Sequence, residues 1–304
     1  MSGKAAAIVN RHAEAGIARY RWPKVARMLA RHLGEVTVRF TTKAGDATVL
    51  ARELASAGFD PIIAVGGDGT VNEVVNGMLA AEGNSRIGVL PIASGGDFAR
   101  ALHLTGLRHA IRILAAGYSS PVDAVRARFQ GPDGPTVRHF VNIASVGLGG
   151  LVTADVQEKW RVLPGRVRYL AATIPRLAAG CAFRLRLCLD GAQPVVFDST
   201  IVALANGRYQ GGGILIAPEA AWDDGLIGIT LVEEVSLPEV LRSIRLLYNG
   251  NIYAHPKVHH WQARLVRVEG EAPLELDGEP VGRLPLEAGI LPLALRVICP
   301  APAP

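Results

Sequence analysis

Two glycine-rich segments of this sequence each carry one aspartate where phosphate chemistry could take place. The first reads VGGDGT (65–70) and the second ASGGD (93–97), and each lies between an apolar run and a helical pattern. Glycines let the main chain approach a ligand closely, and the amides at the start of a helix favour an anion. A carboxylate beside a polyphosphate is repelled unless a cation lies between them. Asp68 and Asp97 therefore predict a Mg²⁺ ion that bridges carboxylate and phosphate.

These residues also have simpler interpretations. Asp68 could hydrogen-bond its own turn, as aspartate often does in loops. Asp123, which follows a predicted strand, could join the two aspartates or cap a helix or turn. Thr70 and Glu73 have the spacing of a capping box, which predicts that a helix starts here. The third glycine of the dinucleotide fingerprint and the lysine of a Walker A motif are both missing, so neither standard nucleotide motif fits.

The surrounding elements predict a parallel sheet over the first 125 residues. Strand-like runs alternate with amphipathic stretches at the lengths expected of a doubly wound α/β domain. The runs are AAAIVN (5–10), EVTVRF (35–40), PIIAV (61–65), RIGVLP (86–91) and PVDAVRARF (121–129). Ligands of such sheets bind at the carboxyl ends of the strands, which here are the turns after Asn10, Phe40, Val65 and Pro91.

The pattern changes after about residue 126. Short alternating runs separated by turn residues predict an antiparallel β-sandwich, interrupted by helical segments near 151–178 and 236–249. The runs include RLRLCLDG (184–191), LIGITLVEE (226–234) and LALRVICP (293–300). No Ser/Gly-rich linker marks the change. We therefore predict two coupled domains, 1–125 and 126–304, with a cleft between them.

Composition favours a soluble cytoplasmic protein. The 304 residues are 49% hydrophobic, which predicts a sizeable core, yet no apolar run reaches the ~18 residues of a membrane span. The N-terminus lacks the length of a signal-peptide core. The 32 Lys and Arg exceed the 27 Asp and Glu by too little to argue for nucleic acid, although the net charge of +5 favours an anionic surface or ligand. The three cysteines lack the paired spacing of a zinc site and are predicted to be reduced.

Longer motifs make the sequence resemble a known family. GGDGTVNEVVNG (66–77) followed by PIASGGDFARAL (91–102) is similar to the signature of the diacylglycerol kinase catalytic domain family, which includes bacterial lipid kinases and the sphingosine kinases. VNIASVGLGG (141–150), the segment 203–234 and LELDGEPVG (274–282) extend the resemblance over nearly the whole chain. NAD kinases share GGDGT alone and phosphofructokinases carry a near relative of it, so the longer motifs separate this family from them.

The resemblance implies a fold and a set of site residues. The family has an N-terminal nucleotide-binding α/β domain like that of NAD kinases and phosphofructokinases, and a C-terminal antiparallel β-sandwich domain. ATP, Mg²⁺ and a lipid hydroxyl meet in the cleft. Carried over by position, the ATP contacts are Asn10, Thr41, Gly66, Gly67, Gly69, Thr70 and Ser94. The carboxylates around the catalytic Mg²⁺ are Asp68, Asp97 and Asp123, and a second, structural Mg²⁺ matches Asp224 and the carbonyl of Leu226.

The D-G-E motif carries the proton transfer that the resemblance implies. The family's aspartate is the proposed general base, which makes Asp277 the candidate here, with Glu279 beside it and Asp68 as the alternative base. From the residues alone, D-G-E at the end of an alternating strand is more typical of a hairpin turn. The second loop departs from the family pattern, because Ala93 places a methyl group where the main chain approaches nucleotide.

One leading hypothesis and two alternatives follow. The leading hypothesis is an ATP-dependent lipid kinase that transfers the γ-phosphate to a hydroxyl of a diacylglycerol-like or long-chain-base lipid. One alternative is a soluble small-molecule kinase resembling NAD kinase. The other is a lipid-binding protein that has lost catalysis, which Ala93 keeps open.

A lipid substrate implies a membrane partner. A basic and aromatic stretch could rest on anionic headgroups, although a solvated helix packed on the second domain explains the same pattern. It contains Trp160, Arg161, Leu163, Arg166, Arg168, Tyr169, Leu170 and Arg176. We therefore expect a cytoplasmic protein that associates peripherally with membranes, no nucleic-acid partner, and a homodimer as the assembly to test.

Overall fold

The computed structural model describes residues 4–11, 17–81, 83–92, 96–159 and 165–302, without the side chains of 17–21, 165, 166 and 168. Contacts divide the chain into two units. One runs to Val122 and also takes the segment that starts at Leu293, and the other is Asp123–Pro292. From the sequence we placed all of 126–304 in the second domain, whereas the structure returns the end of the chain to the first unit.

The first unit alternates strands and helices. Its strands are β1 (Ala5–Val9), β2 (Val36–Phe40), β3 (Ile62–Gly66) and β4 (Arg86–Pro91). Its helices are α1 (Ile17–Leu33), α2 (Asp46–Ser56), α3 (Asp68–Leu79), α4 (Asp97–Ala101) and α5 (Leu107–Ala116). The four strands pair in parallel in the order β2-β1-β3-β4. The predicted doubly wound α/β domain is confirmed.

Burial explains why these runs form a parallel sheet. Strands β1 and β3 are buried along their whole length, and their sequences AAAIV and IIAVG contain no polar side chain. Central parallel strands are covered on both faces and need such continuous apolar runs. The segment after Leu293 adds a further parallel strand, because Arg296 and Val297 pair with Arg86 and Ile87 of β4.

The second unit is built mainly from antiparallel strands. They are β5 (Ser119–Gly131, whose first residues belong to the first unit), β6 (Gly134–Phe140), β7 (Ile143–Gly147), β8 (Phe183–Leu189), β9 (Val195–Ala205), β10 (Tyr209–Gln210), β11 (Ile214–Leu215), β12 (Ile227–Glu233), β13 (Val258–Ala263), β14 (Leu265–Gly270), β15 (Pro273–Leu276) and β16 (Glu279–Ile298). The helices are α6 (Leu148–Glu158), α7 (Gly165–Ala178), α8 (Leu237–Ser243) and α9 (Leu246–Asn249), followed by a 3₁₀ turn at Ile252–Ala254. Among the described residues, none of the helices combines the length and apolar character needed to cross a bilayer.

Two paths of hydrogen-bonded strands connect β9 with β16. One runs β9-β7-β15-β16 and the other β9-β8-β14-β16, while β12 and β13 extend the sheet beyond β9. Buried and exposed residues alternate along β8 and β14, which is typical of antiparallel strands with one face on the core. The core contains Leu185, Val266, Leu274 and Leu286. The predicted antiparallel, β-rich second domain is confirmed.

Candidate active site

The carboxyl edge of the parallel sheet gathers several residues that the sequence singled out. Asn10 follows β1, Thr41 follows β2, and residues 66–70 join β3 to α3. Asn10 Nδ2 donates a hydrogen bond of 3.0 Å to Thr70 Oγ1. A Cβ on Gly66 would lie 2.4 Å from Thr70 Oγ1, so glycine is what lets this hydroxyl approach the strand end. The structure thus places the predicted nucleotide contacts of three strands at one edge.

The start of α3 differs from the sequence prediction. The helix begins at Asp68 and has no side-chain capping hydrogen bond. Glu73 instead accepts hydrogen bonds from the main-chain amides of Gly45 and Ala47, each 3.0 Å, at the start of α2. The predicted capping box between Thr70 and Glu73 is therefore wrong, because the Glu73 carboxylate binds the start of the neighbouring helix.

Asp68 connects the two glycine-rich segments. Its carboxylate accepts hydrogen bonds from the main-chain amides of Asp97, at 2.9 Å, and Phe98, at 3.1 Å, which begin α4. Asp68 thus binds the second segment and not its own turn. Burial raises the pKa of the Asp68 carboxyl, and the two amides offset part of that rise. A Cβ on Gly96 would lie 2.3 Å from Asp68 Oδ1, so this contact requires a glycine there.

Asp97 is buried at the start of α4, next to the Asp68 carboxylate. Its side chain forms an ion pair with Arg100, one helical turn later. The other site residue predicted in this segment, Ser94, lies outside the described residues, as does Ala93. In the second segment, the described site residue is therefore Asp97, whose amide donates to Asp68 Oδ2.

The oxygen donors at this edge fit Mg²⁺, which prefers carboxylates and water. Each Asp68 oxygen accepts one amide, and a carboxylate offers about four lone-pair sites, so Asp68 keeps capacity for a metal or its waters. Among the described residues, no three His, Cys, Asp or Glu side chains cluster closely enough to hold a metal. An ion held by Asp68 and Asp97 would take its other ligands from water and phosphate, as Mg²⁺ commonly does.

Asp123 and Asp224 lie in the second unit, at one turn. Asp123 is fully buried, and its Oδ2 accepts a hydrogen bond of 2.8 Å from the Gly225 amide. Asp224 is exposed, and its Oδ1 accepts one of 3.0 Å from the Leu226 amide. The structure thus brings Asp123 to the D-D-G-L turn (223–226), where the resemblance placed a separate structural ion. Carboxylate and carbonyl oxygens at this turn also suit Mg²⁺.

Asp277 lies in the D-G-E turn between β15 and β16. Its carboxylate accepts hydrogen bonds from the main-chain amides of Val141 (3.0 Å), Asn142 (2.9 Å) and Ile143 (3.0 Å). The residue is 4% exposed and has a left-handed main chain, with φ 48°. The three amides stabilise the ionised carboxylate and fix its orientation. Asp277 therefore has a structural role that the sequence did not reveal, whatever its part in catalysis.

Helix α6 holds the strands on either side of the D-G-E turn. Gln157 Nε2 donates a hydrogen bond of 2.8 Å to Glu279 Oε2, after the turn. Thr153 lies four residues before Gln157 on the same helix. Its Oγ1 is 2.8 Å from Oε2 of Glu275, which precedes the D-G-E turn. Gln210 Nε2, from β10, donates to Glu275 Oε1 at 2.6 Å. Four elements, α6, β10, β15 and β16, therefore meet at the two glutamates that flank Asp277.

Sequence reasoning missed Glu275. In the run LELDGE it alternates with Leu274 and Leu276, a pattern that predicts a solvent-facing carboxylate. The structure buries it to 2% exposure, because α6 covers that face of β15. Burial raises the pKa of Glu275 to about 8. Thr153 lies 122 residues earlier in the chain, so no local pattern around Glu275 could have indicated this contact.

Two asparagines of the quoted motifs also have structural roles. Asn206 is fully buried, and its Nδ2 donates to the main-chain oxygens of Asp123 (3.0 Å) and Val141 (2.9 Å). Asn142 Nδ2 donates to Tyr209 O at 2.9 Å. An asparagine inside an apolar run was the available signal, since a buried amide needs partners. These bonds tie together the segments that bear Asp123 and that bind Asp277.

Two family models match the chain, one in each half. The diacylglycerol kinase catalytic domain matches residues 4–127. The YegS C-terminal NAD kinase beta sandwich-like domain matches residues 142–299. The resemblance stated from the sequence motifs is therefore confirmed.

Curated relatives align along most of the chain. A protein of Staphylococcus carnosus (strain TM300) is 30% identical over 268 residues, which is 86% of this chain and 84% of the relative. One of Staphylococcus aureus (strain JH9) is 31% identical over 256 residues, which is 83% of this chain and 78% of the relative. Both are named diacylglycerol kinase.

Solved structures share the fold. A diacylglycerol kinase from Bacillus anthracis str. Sterne aligns with 98% of this chain and 97% of its own, with a TM-score of 0.73 at 24% identity. An NAD kinase from Archaeoglobus fulgidus in complex with ATP aligns with 97% and 93%, with a TM-score of 0.52 at 14% identity. This likeness shows the fold. The family models and the curated relatives show that the chain belongs to the diacylglycerol kinase family, whose members are phosphotransferases with an alcohol group as acceptor.

Proposed function

We propose that this protein is an ATP-dependent lipid kinase that transfers the γ-phosphate of ATP to a lipid hydroxyl. One observation carries the proposal. At the carboxyl edge of the parallel sheet, Asn10 donates a hydrogen bond to Thr70, and the Asp68 carboxylate binds the start of α4, which follows the second glycine-rich segment. The names of the curated relatives favour a diacylglycerol-like acceptor over a long-chain base.

We assign nucleotide binding to the first unit. Helix α3 has twelve residues and no side-chain cap, so the amides of its first turn are available to phosphate oxygens. Gly67 and Gly69 flank Asp68 and leave the main chain open to close approach. Asn10 and Thr70 present an amide and a hydroxyl at the same edge. Thr41 and Ser94 complete the set of nucleotide contacts.

We assign the metal to carboxylates of this family signature. Asp68 and Asp97 would hold a catalytic Mg²⁺, with Asp123 as the third carboxylate carried over from the family. When bound, the ion neutralises charge that develops on the transferred phosphoryl group. Asp224 and the Leu226 carbonyl would hold a structural ion at the turn that also contacts Asp123.

We assign proton acceptance to the D-G-E turn of the second unit. The three main-chain amides that bind the Asp277 carboxylate stabilise its ionised form and fix its orientation, as a proton acceptor for the substrate hydroxyl requires. An aspartate can serve this purpose in phosphoryl transfer, because orienting the hydroxyl matters more than strong basicity. Glu279 is half-buried beside it and would contact the same substrate.

We assign the membrane contact to exposed apolar side chains of three helices. They have helical spacing on α7 and on α8–α9, and each is at least 36% exposed: Val167, Leu170, Ile174, Leu241, Ile244 and Tyr248. Helix α7 packs against α8, so the two sets are neighbours. Arg242 and Arg245 are exposed among them and suit anionic headgroups. The stretch 160–176 had suggested this location, although 160–164 lies outside the described residues.

Phosphate transfer from γ-labelled ATP to a panel of acceptors tests the proposal. The panel contains diacylglycerol and a long-chain base in detergent micelles, and NAD in solution, each with and without Mg²⁺. We expect Mg²⁺-dependent transfer to diacylglycerol. Transfer to NAD alone would support the small-molecule alternative. Lipid binding without transfer to any acceptor would support a protein that has lost catalysis, and either result would overturn the proposal.

A further inference from the structure

Glu275 is a buried acid for which the proposed reaction has no use. It is 2% exposed, and its two oxygens lie 2.8 Å from Thr153 Oγ1 and 2.6 Å from Gln210 Nε2. Neither partner carries a charge. A buried carboxylate without a cation is expensive, and the usual outcome is that the group keeps its proton.

The charges near Glu275 reinforce this. Asp277 and Glu279 both act on it electrostatically and both favour its neutral form. Across the sheet, β7 places the uncharged Ser145 opposite Glu275, and the buried Ser145 Oγ has no hydrogen-bond partner among the described residues. From β10 the contact is the uncharged Gln210.

The titratable groups of α6 do not neutralise Glu275. Asp155 forms ion pairs with Lys159, the residue that follows α6, and with Arg176 of α7. Glu158 is exposed and carries the same sign of charge as Glu275. The contact from α6 to Glu275 is the hydroxyl of Thr153. Within the described residues, burial and two like charges therefore favour a neutral Glu275.

We propose that Glu275 is a positioning residue for the kinase reaction, a neutral carboxylic acid that fixes the D-G-E turn by joining β15 to α6 and β10. This rests on the proposed function of Asp277. Thr153 Oγ1 donates to an ionised Glu275 carboxylate. With Glu275 neutral, the direction of this bond is reversed, so that the acid O–H donates to the Thr153 hydroxyl while Oε1 accepts from Gln210 Nε2. Thr153 and Gln157 lie one turn apart on α6, so the same contact sets the helix that donates to Glu279.

Deprotonation should disturb the turn. The ionised form places a third negative charge beside the buried Asp277 and the half-buried Glu279. Burial raises the pKa of Glu275 to about 8, so this change occurs just above neutral pH. We therefore expect kcat of the wild-type kinase to fall as pH rises through about 8.

Two substitutions at Glu275 test the proposal through pH profiles. In Glu275→Gln the side-chain NH₂ can donate to Thr153 and the carbonyl can accept from Gln210, which reproduces the neutral acid. Glu275→Ala leaves both partners unsatisfied and should lower kcat by ~10- to 100-fold at every pH, because the turn shifts. We expect Gln to restore the kcat that Ala loses, and to abolish the alkaline fall. A Gln variant as inactive as Ala, or one with an unchanged alkaline limb, would overturn the proposal.

A stability measurement separates this inference from the proposed function. The folded pKa of about 8 exceeds the ordinary value of 4.5, so the folded state holds a proton that the unfolded state releases between these values. Wild-type Tm should therefore decrease as pH rises from 4.5 to about 8, relative to the Tm of Glu275→Gln. If the wild type phosphorylates no lipid, the proposed function fails. The comparison of Tm curves still shows whether Glu275 holds a proton in the folded state. Parallel Tm curves for the two proteins would refute a neutral Glu275.

Discussion

Replacing Asp277 with asparagine should both destabilise the second unit and slow the reaction. The substitution preserves shape and suits the left-handed main chain at this position, because asparagine tolerates φ near 48°. It removes the negative charge and turns one acceptor oxygen into a donor. The consequences follow from the three amides that the carboxylate binds.

The cost can be worked from those contacts. The asparagine carbonyl can keep the bonds to Asn142 and Ile143, but its NH₂ then faces the Val141 amide, 3.0 Å away in the native turn. A buried N–H without an acceptor costs ~1–3 kcal/mol, and each remaining bond weakens by ~0.5–1 kcal/mol when the acceptor loses its charge. The total of ~2–5 kcal/mol should lower Tm by ~5–20 °C for a unit of this size.

Thermal melts and steady-state kinetics on one preparation test both effects. We expect kcat to fall by ~10²- to 10⁴-fold, the range for loss of a general base. ATP affinity should barely change, because Asp277 belongs to the second unit and the glycine-rich edge to the first. Glu279→Gln is the matched control. It should leave Tm near the wild-type value, because it keeps the three main-chain amide bonds of Asp277.

The two readouts can fail independently. An unchanged Tm would refute the amide contacts as a source of stability. A near-normal kcat with weakened ATP binding would make Asp277 a nucleotide or metal contact. Asp68 would then become the better candidate for the base.

Three further predictions concern the first loop, the second loop and the membrane face. Asp68→Asn should abolish turnover and lower Tm by a few degrees, because asparagine can accept only one of the two α4 amides; full activity would refute the metal-bridge hypothesis. Gly96→Ala should lower Tm, because the new methyl group displaces the Asp68 carboxylate. Gly67→Ala, whose Cβ would meet nothing within 4 Å, should keep Tm and weaken ATP binding. Equal Tm values for these two variants would contradict the close contact between Gly96 and Asp68. In sedimentation with anionic vesicles, Leu241→Glu should reduce the bound fraction and Val49→Glu, at a side chain 47% exposed on the other unit, should not. High salt should reduce wild-type binding, and no wild-type binding at low salt would refute the membrane contact.

Local sequence patterns predicted the first unit well. The apolar runs of β1 and β3 and the glycines of residues 65–70 act over a few residues, so periodicity and turn chemistry identify them. The convergence of Asn10, Thr41 and residues 66–70 also followed, because parallel strands end at one edge of a sheet.

Contacts between distant segments could not be predicted in this way. Glu73 caps α2, which lies 26 to 28 residues earlier in the chain, and the local capping-box pattern suggested a different partner. Asp277 binds amides 134 to 136 residues away. The return of the segment after Leu293 to the first sheet depends on an open strand edge at β4. None of these leaves a periodic signal in the sequence.

The signature carboxylates share a feature that changes how mutants of this family should be interpreted. Asp68, Glu73, Asp123 and Asp277 each accept main-chain amides from another segment of the chain. Charge-assisted bonds of this kind stabilise the fold as well as orienting the acid. Neutralising any of the four should therefore reduce stability and activity together. Loss of activity alone cannot identify a catalytic acid here, so kcat must be compared at a temperature where the melt shows that the variant is folded.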